Sequence, residues 1–544
     1  MRDTQKMAVI GGVAAAVVGL AGVGVYVLVG SDGEEAQSTV AADSKAAEAK
    51  KGPLSAAEVR TAAKEFLGAW AEGDTKKAAA LTDDSAAAAK ALGAFRSKAH
   101  VSEVTATPEK AEGEKVPFDV TAQVAYGKKD AAWKYDSALK IVRAAKTGEP
   151  VVEWKPSVLH PKLKDGRTIV TDESGTPPVT AVDRDGSPLS AEDHPALAGV
   201  IRDIGKRYGD KTEGSPGVQT RLVDAKGKTD TVLRQLSEPT PGKLKTTIDA
   251  GAQRAAETAV KGKKKASVVA VKPSTGEILA IANSPAKGFN SALQGSLAPG
   301  STMKVVTSAM LLDKGLASPG KTHPCPKYFT YGGWKFHNDD NFEIKHGTFA
   351  QSFARSCNTA FISQAPELKD DDLTKEARDV FGIGLNWKTG TTTFDGRVPV
   401  QSDAQMAASL MGQGGVRMNP LNMASVSATV QNGTFRQPYV VPPSVDDRTL
   451  AKAPRTMKPG VQKDLKSLMK VTATGGTAAQ PMAGMSGDFG AKTGSAEVDG
   501  QKKPNAWFTA YSGDAAAAAV VPASGHGNEN AGPIVRKVLD AARG

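Results

Sequence analysis

The sequence predicts a multidomain protein of the α+β class behind one membrane-spanning helix. Three observations lead there. Residues 7–30 run without a single charge. Residues 54–155 carry a helical apolar pattern first and alternating apolar segments after it. From residue 241 a helix, a hairpin and, much later, three further strand-like segments suggest one sheet assembled from both ends of a long domain. A length of 544 residues exceeds one ordinary domain and fits roughly three.

Composition narrows the class. Hydrophobic residues make up 40% and charged residues 23%, as in a globular chain and unlike a disordered one. Two cysteines cannot supply a disulfide scaffold. The net charge of +11 and the run KGKKK at 261–265 raise nucleic acid as a partner. The run reads as a solvated loop instead, and the N-terminus decides against nucleic acid.

That N-terminus reads MRDTQK and then MAVIGGVAAAVVGLAGVGVYVLVG. A helix over residues 7–30 would span roughly 36 Å, enough for a hydrocarbon core of about 30 Å. Arg2 and Lys6 precede it; Asp32, Glu34 and Glu35 follow. The positive flank stays in the cytoplasm, so the rest is exported. The alternative is a cleaved signal peptide, although the apolar run exceeds the usual h-region. No cysteine follows it, which excludes a bacterial lipoprotein. Residues 31–53 are polar and alanine-rich and read as a tether, with a span of roughly 26 Å if flexible.

In residues 54–155, Val59, Ala63, Phe66, Leu67 and Trp70 recur at helical spacing. Ser55 and Glu58 make a capping-box start, and Gly73 fits a stop. VPFDVTAQVAYG and WKYDSALKIVR alternate and read as strands. Trp70, Trp133 and Trp154 are expected in its core. Residues 156–240 are rich in Pro, Gly and Asp, with turn signals such as Asp185-Gly186, and read as a supporting pedestal without chemistry.

From 241, LKTTIDAGAQRAAETAVKG reads as a helix capped by Asp249. ASVVAVKPSTGEILAIAN is a hairpin. AKTGSAEV, NAWFTAYSG and AAAAAVVP supply strands, and Pro533 suits the first turn of a closing helix.

The chemistry begins at SLAPGSTMKVVTSAML, residues 296–311. Ser301 and Lys304 stand three apart, on one face of a helix entered sharply through Pro299-Gly300. S-x-x-K alone usually marks a surface pair. Here Met303, Val305, Val306, Ala309, Met310 and Leu311 make the helix mostly buried. A buried ammonium is costly, and desolvation lowers its pKa. A neutral amine beside a hydroxyl can take its proton and make Ser301 a nucleophile. RSCNTAF then carries Ser356 and Asn358, and AKTGSAE carries Lys492, Thr493 and Gly494 on a predicted strand. S-x-x-K, S-x-N and K-T-G in this order are the set of penicillin-binding proteins and active-site serine β-lactamases.

On these residues, and on the blocks TTIDAGAQRAA, MGQGGVRMNPLNMA, GGTAA and NAWFTAY, the chain resembles a class B high-molecular-weight penicillin-binding protein, a D,D-transpeptidase of peptidoglycan. DRDGSPLS resembles that family's pedestal. Residues 54–165 resemble the extra N-terminal domain of methicillin-resistance-type members, whose fold is similar to cystatin or nuclear transport factor 2. The likeness does not imply drug resistance. The resemblance implies a cytoplasmic tail (1–6), a transmembrane anchor (7–30), a linker (31–53), a cystatin-like domain (54–155), a β-rich pedestal or dimerisation-type domain (156–240) and a transpeptidase domain (241–544) whose antiparallel sheet is flanked by helices.

It also implies roles. Ser301 would attack the penultimate D-Ala carbonyl of a D-Ala-D-Ala stem peptide, with Lys304 as base. Ser356 and Asn358 would relay protons and hold the substrate amide. Lys492 and Thr493 would bind the substrate carboxylate. The backbone N–H groups of Ser301 and Ser495 would form an oxyanion hole, in which one donor is worth about 2.7–4 kcal/mol of barrier. A side chain at Gly494 would crowd a ligand lying along the strand. Ser495 stands where many relatives have threonine. No metal or cofactor is implied. The expected partners are stem peptides as donor and amine acceptor, β-lactams, the membrane, and other cell-wall synthesis proteins, with the catalytic domain outside the cytoplasm.

Alternatives are a D,D-carboxypeptidase, a serine β-lactamase-like hydrolase, or a non-catalytic penicillin sensor or scaffold. The chain has no room for the glycosyltransferase domain of bifunctional relatives. It shows no E-x-x-L-N stretch between Ser356 and Lys492; PELKDDDL reads only as a polar helix. His337 and His346 read as loop histidines. Trp507 fits either the cleft floor or the core. Cys325 and Cys357 are both exported, and a disulfide and two free thiols remain equally open.

Overall fold

A computed structural model describes residues 51–175 and 177–543. The expected tail, the anchor and residues 31–50 of the linker lie outside them. Among the described residues no helix is long and apolar enough to cross a membrane.

The first described helix, α1 (Ala56–Ala71), begins where the capping box places it. Ser55 Oγ accepts the Glu58 N–H, and the Glu58 carboxylate accepts the Ser55 N–H at 2.9 Å. Gly73, at φ +79°, turns the chain after it. Two shorter helices follow, α2 (Thr75–Ala80) and α3 (Ser85–Ser97), capped by Asp74 and Asp84. The chain then forms an antiparallel meander of β1 (Val101–Pro108), β2 (Lys115–Tyr126) and β3 (Lys129–Arg143), with the short β4 (Pro150–Val152) beside β3. Phe66, Trp70, Phe95, Phe118 and Trp133 fill the space between helices and sheet; Trp70 meets Phe118 edge-on at 6.2 Å. Each such side chain contributes about 1.5–3 kcal/mol by leaving water. Trp154 is only half-buried, against Phe66.

The next segment has a three-stranded antiparallel sheet of β5 (Thr168–Glu173), β7 (Val218–Val223) and β8 (Thr229–Ser237). Its Ile169 and Leu222 extend the aromatic core of the meander. A parallel pair, β6 (Val179–Val182) with β9 (Gly242–Lys245), and helix α4 (Ala198–Tyr208) join it. The turn at Asp185-Gly186 is held by the Asp183 carboxylate, which accepts the N–H of Asp185 and of Ser187.

After α5 (Ala250–Val260), capped by Asp249 at 2.8 Å, the hairpin of β10 (Ala266–Val271) and β11 (Ile278–Ser284) opens the main sheet. Its other strands come from the far end of the chain: β14 (Phe489–Ala496), β15 (Asn505–Ser512) and β16 (Ala515–Val521). The order is β11-β10-β16-β15-β14, antiparallel throughout, with β14 at one edge. Helices cover both faces: α5 and the C-terminal α16 (Gly532–Ala542) on one, α12 (Pro420–Asn432) on the other, and α13 (Pro459–Gly475) against β14. This explains the all-alanine start of β16. Alanine is a poor strand former, but a central strand clamped between helices gains from close approach, and every residue of β16 is buried.

Between β11 and β14 lie α6 (Ser291–Gln294), a 3₁₀ turn (Gly300–Met303), α7 (Lys304–Asp313), the hairpin of β12 (Tyr328–Tyr331) and β13 (Trp334–His337), α8 (Phe349–Ala354), α9 (Thr359–Ile362), α10 (Asp372–Asp379), α11 (Asp403–Leu410) and α14 (Ala479–Met482). PELKDDDL is not one helix: Ala365–Glu367 form a 3₁₀ turn, and α10 starts only at Asp372. The short α15 (Gly527–Asn530) precedes α16.

Candidate active site

Ser301 and Lys304 are not both on an α-helix, as their spacing had suggested. Ser301 lies in the 3₁₀ turn, and α7 begins at Lys304. With three residues per turn, side chains at i and i+3 stand directly over one another, a tighter pairing than an α-helix gives. The amine of Lys304 lies 2.9 Å from Ser301 Oγ.

Backbone contact seats this turn. Gly300, at φ +53°, donates its N–H to Gly412 O at 3.0 Å. A Cβ on Gly300 would come within 2.5 Å of Ser495 O, and one on Gly412 within 2.0 Å of Gly300 O. Gly494 belongs to the same contact. A Cβ there would meet Pro299 O and the Thr302 backbone N at 3.0 Å. Beside the room for a ligand expected there, the close seating of the nucleophile turn on β14 is a second reason for a glycine.

The second motif sits in the bend between α8 and α9. Ser356 has φ +58°, unusual without a glycine and costing about 1–3 kcal/mol. The bend turns its carbonyl to Lys304 Nζ (2.7 Å) and its hydroxyl to Lys492 Nζ (3.0 Å). Asn358 Oδ1 takes Lys304 Nζ at 2.7 Å, and Asn358 Nδ2 donates to His337 O at 3.1 Å.

These contacts assign the amine's protons. Ser356 O and Asn358 Oδ1 can only accept, so two N–H bonds of Lys304 point at them. In the neutral amine the remaining direction is the lone pair, aimed at the Ser301 hydroxyl. Lys304 and Lys492 are both fully buried. Burial, and then the like charge of Lys492, hold the Lys304 amine well below its usual range, while Asp339 opposes them. Burial also pushes Lys492 down to about 7, with Asp339 again opposing. Burial and the like charge of Lys492 both favour the neutral, basic form of Lys304.

A cleft of about 920 Å³ opens over the site, lined by Ser301, Asn358, Ser495, His526, Trp334 and Asp339, among others. The amines lie behind this lining. Thr493 turns its hydroxyl to Thr477 Oγ1 at 2.6 Å. Ser495 Oγ is 3.3 Å from His526 Nδ1. His337 is on β13 at the cleft rim, not in a loop. Trp507 is wholly buried in β15 and belongs to the core. Among the described residues no cluster has the composition of a metal site.

Sequence reasoning missed Asn338, Asp339, Thr477 and His526. Asn338 is fully buried and accepts the Asn358 N–H at 2.7 Å and the Thr359 N–H at 3.1 Å. The Cys325–Cys357 pair is a disulfide, with Cα atoms 6.1 Å apart. It ties the middle residue of S-x-N to the chain leading into the cleft hairpin. The 32-residue separation corresponds to about 3–4 kcal/mol of loop-closure stabilisation in the chain-entropy account. Cys325→Ala with Cys357→Ala is expected to lower the unfolding midpoint by an amount consistent with that figure and to slow acylation by penicillin. Melting curves and labelling rates on the double variant check both.

A serine hydroxyl facing a buried amine whose pKa is held low, with a second buried amine on a neighbouring edge strand, defines an active-site serine acyltransferase. The comparisons with known proteins agree. The penicillin binding protein transpeptidase domain matches residues 266–540, and the NTF2-like N-terminal transpeptidase domain matches residues 58–167. The chain belongs to the penicillin-binding protein transpeptidase family. It is 28% identical over 369 residues to the peptidoglycan D,D-transpeptidase PbpA of Mycobacterium tuberculosis, covering 56% of this chain and 73% of that one. It is 27% identical over 282 residues to the peptidoglycan D,D-transpeptidase MrdA of Acinetobacter baumannii, covering 44% and 41%. Pseudomonas aeruginosa PBP2 shares the fold, with a TM-score of 0.54 and 22% identity over 68% of this chain and 97% of that one. The D,D-transpeptidase domain from Eggerthella lenta does so too, with a TM-score of 0.52 and 19% identity over 68% and 98%.

Proposed function

We propose that this chain is a serine D,D-transpeptidase that cross-links peptidoglycan stem peptides and is acylated by β-lactams. The observation that carries this is the Lys304 amine, with two N–H bonds taken by Ser356 O and Asn358 Oδ1 and its lone pair left to Ser301.

Ser301 Oγ attacks the penultimate D-Ala carbonyl while its proton passes to Lys304 Nζ. The carbonyl oxygen, now negative, is held by the N–H groups of Ser301 and Ser495; the close seating of Gly300 against Ser495 O supports this reading. Ser356 Oγ, bonded to Lys492, hands a proton to the departing D-Ala nitrogen and is reprotonated by the one that Lys304 took from Ser301, so the acyl-enzyme remains with Lys304 neutral and Ser356 a hydroxyl again. An amine of a second stem then attacks, returns its proton through the same groups and releases Ser301. The hydroxyls of Thr493 and Ser495 receive the donor's terminal carboxylate, and the charge of Lys492 behind them attracts it. A protein of this class acts outside the cytoplasm. Residues 7–30 serve as its single-pass anchor, and other cell-wall synthesis proteins recruit it.

Lys492 gives a pH test. Its charge is present below about 7 and is lost as pH rises through that value. kcat/KM for a carboxylate-bearing donor is expected to fall above that pH, because this ratio reports the free enzyme. A carboxamide donor is expected to lack the falling limb. The reaction class is tested with a D-Ala-D-Ala-like thioester and a D-amino acid acceptor, the products being separated by mass. Amide product rising with acceptor supports transpeptidation; hydrolysis alone at all acceptor concentrations favours a carboxypeptidase.

A further inference from the structure

We infer that His526 is a positioning residue for the donor's carboxylate, acting through the Ser495 hydroxyl; this deepens the transpeptidase function proposed above. Its Nδ1 lies 3.3 Å from Ser495 Oγ, and both residues line the cleft that holds Ser301.

The imidazole does not reach Ser495 by chance of a loose loop. The residue after it, Gly527, lies flat on the sheet. A Cβ there would meet Trp507 O at 2.0 Å and Gly494 O at 2.7 Å. No other residue type fits between this segment and the K-T-G strand, so the backbone that carries His526 is fixed against the strand that carries Ser495. The segment is closed on both sides. Asn530 Nδ2 donates to Ser524 O at 3.1 Å, and Asn505 Oδ1 accepts the Ala523 N–H at 2.9 Å.

The chemistry follows from the donor inventory. A carboxylate can only accept, so Ser495 helps to bind one only when its O–H points into the cleft. A serine hydroxyl rotates freely, and an acceptor on the protein would draw it away. With the proton on Nδ1, His526 donates to Ser495 Oγ and leaves the serine proton for the ligand. The chain runs from imidazole N–H to hydroxyl to carboxylate. Glu497 and Asp499 also line the cleft, just beyond Ser495, and repel an anion; an oriented donor offsets that repulsion. The ligands distinguished are those ending in a free α-carboxylate and those ending in an ester or amide.

The test uses the full chain with benzylpenicillin and its methyl ester, and reads the saturation constant and the limiting acylation rate separately. His526 is exposed, so its replacement leaves the core intact. His526→Ala is expected to weaken benzylpenicillin saturation about tenfold, the scale of one hydrogen bond to a charged group, with the limiting rate nearly unchanged and the ester unaffected. His526→Asn, whose amide can donate from near the Nδ1 position, is expected to restore most of the loss. An unchanged saturation constant in His526→Ala, an equal loss for acid and ester, or no recovery in His526→Asn overturns the inference. Absence of acylation in the wild type by either compound is a different result: it removes the serine-transpeptidase function itself, and the role of His526 with it.

Discussion

Lys304→Met is expected to lower the second-order rate of penicillin acylation by about two to four orders of magnitude, the range of a general base. Methionine matches the length of the lysine stem and suits a wholly buried site, so the variant should stay folded. What it removes is the only group within hydrogen-bond reach of Ser301 Oγ in the described structure that can take a proton. The pH profile separates this from damage to the fold. In the wild type, acylation should rise with pH as the Lys304 amine loses its proton, at a pH well below the ordinary lysine range. In Lys304→Met that rising limb should vanish, while thermal unfolding at neutral pH stays cooperative. A variant that keeps the limb would show that another group is the base.

Gly300→Ala should be nearly as damaging, although it adds one methyl group. The new Cβ would sit 2.5 Å from Ser495 O, at a residue with φ +53°. Backbone on both sides leaves no flexible side chain to yield, so the nucleophile turn must lift away from β14. That separates the two N–H groups proposed to hold the oxyanion, and losing one such donor costs about 10²–10³ in rate. Ligand binding at Lys492 and Ser495 should be affected far less. Titration with a non-acylating, carboxylate-bearing ligand alongside the acylation rate reads the two apart; equal loss of both would mean that the whole cleft has collapsed.

Most of the site was legible because its chemistry is written in short, ordered motifs. Ser301, Lys304, Ser356, Asn358 and Lys492 are far apart in sequence, yet each motif carries its own local geometry, and the structure joins them through Lys304 and Lys492. The helix ends were legible for the same reason: Ser55–Glu58 and Asp249 act within three or four residues. The missed residues are those whose role is set by tertiary placement. Asn338 and His526 stand alone in stretches without a pattern, and only the packing of the hairpin and of Gly527 brings them to the site. The contact of Gly494 with Pro299 and Thr302 was hidden because a sequence shows that a side chain is absent, not what occupies its place. An S-x-x-K spacing serves a 3₁₀ turn and an α-helix alike, so the tighter pairing of Ser301 with Lys304 was hidden. The disulfide needed the 6.1 Å between Cα atoms, a distance no spacing in the chain reveals.

The most direct measurement is peptide mapping by mass spectrometry of the full chain after brief exposure to benzylpenicillin. The expected result is one adduct per chain, carried on Ser301. An adduct on Ser356 or another serine, or none at all from properly folded protein, would contradict the assignment of the nucleophile and of the amine that serves it.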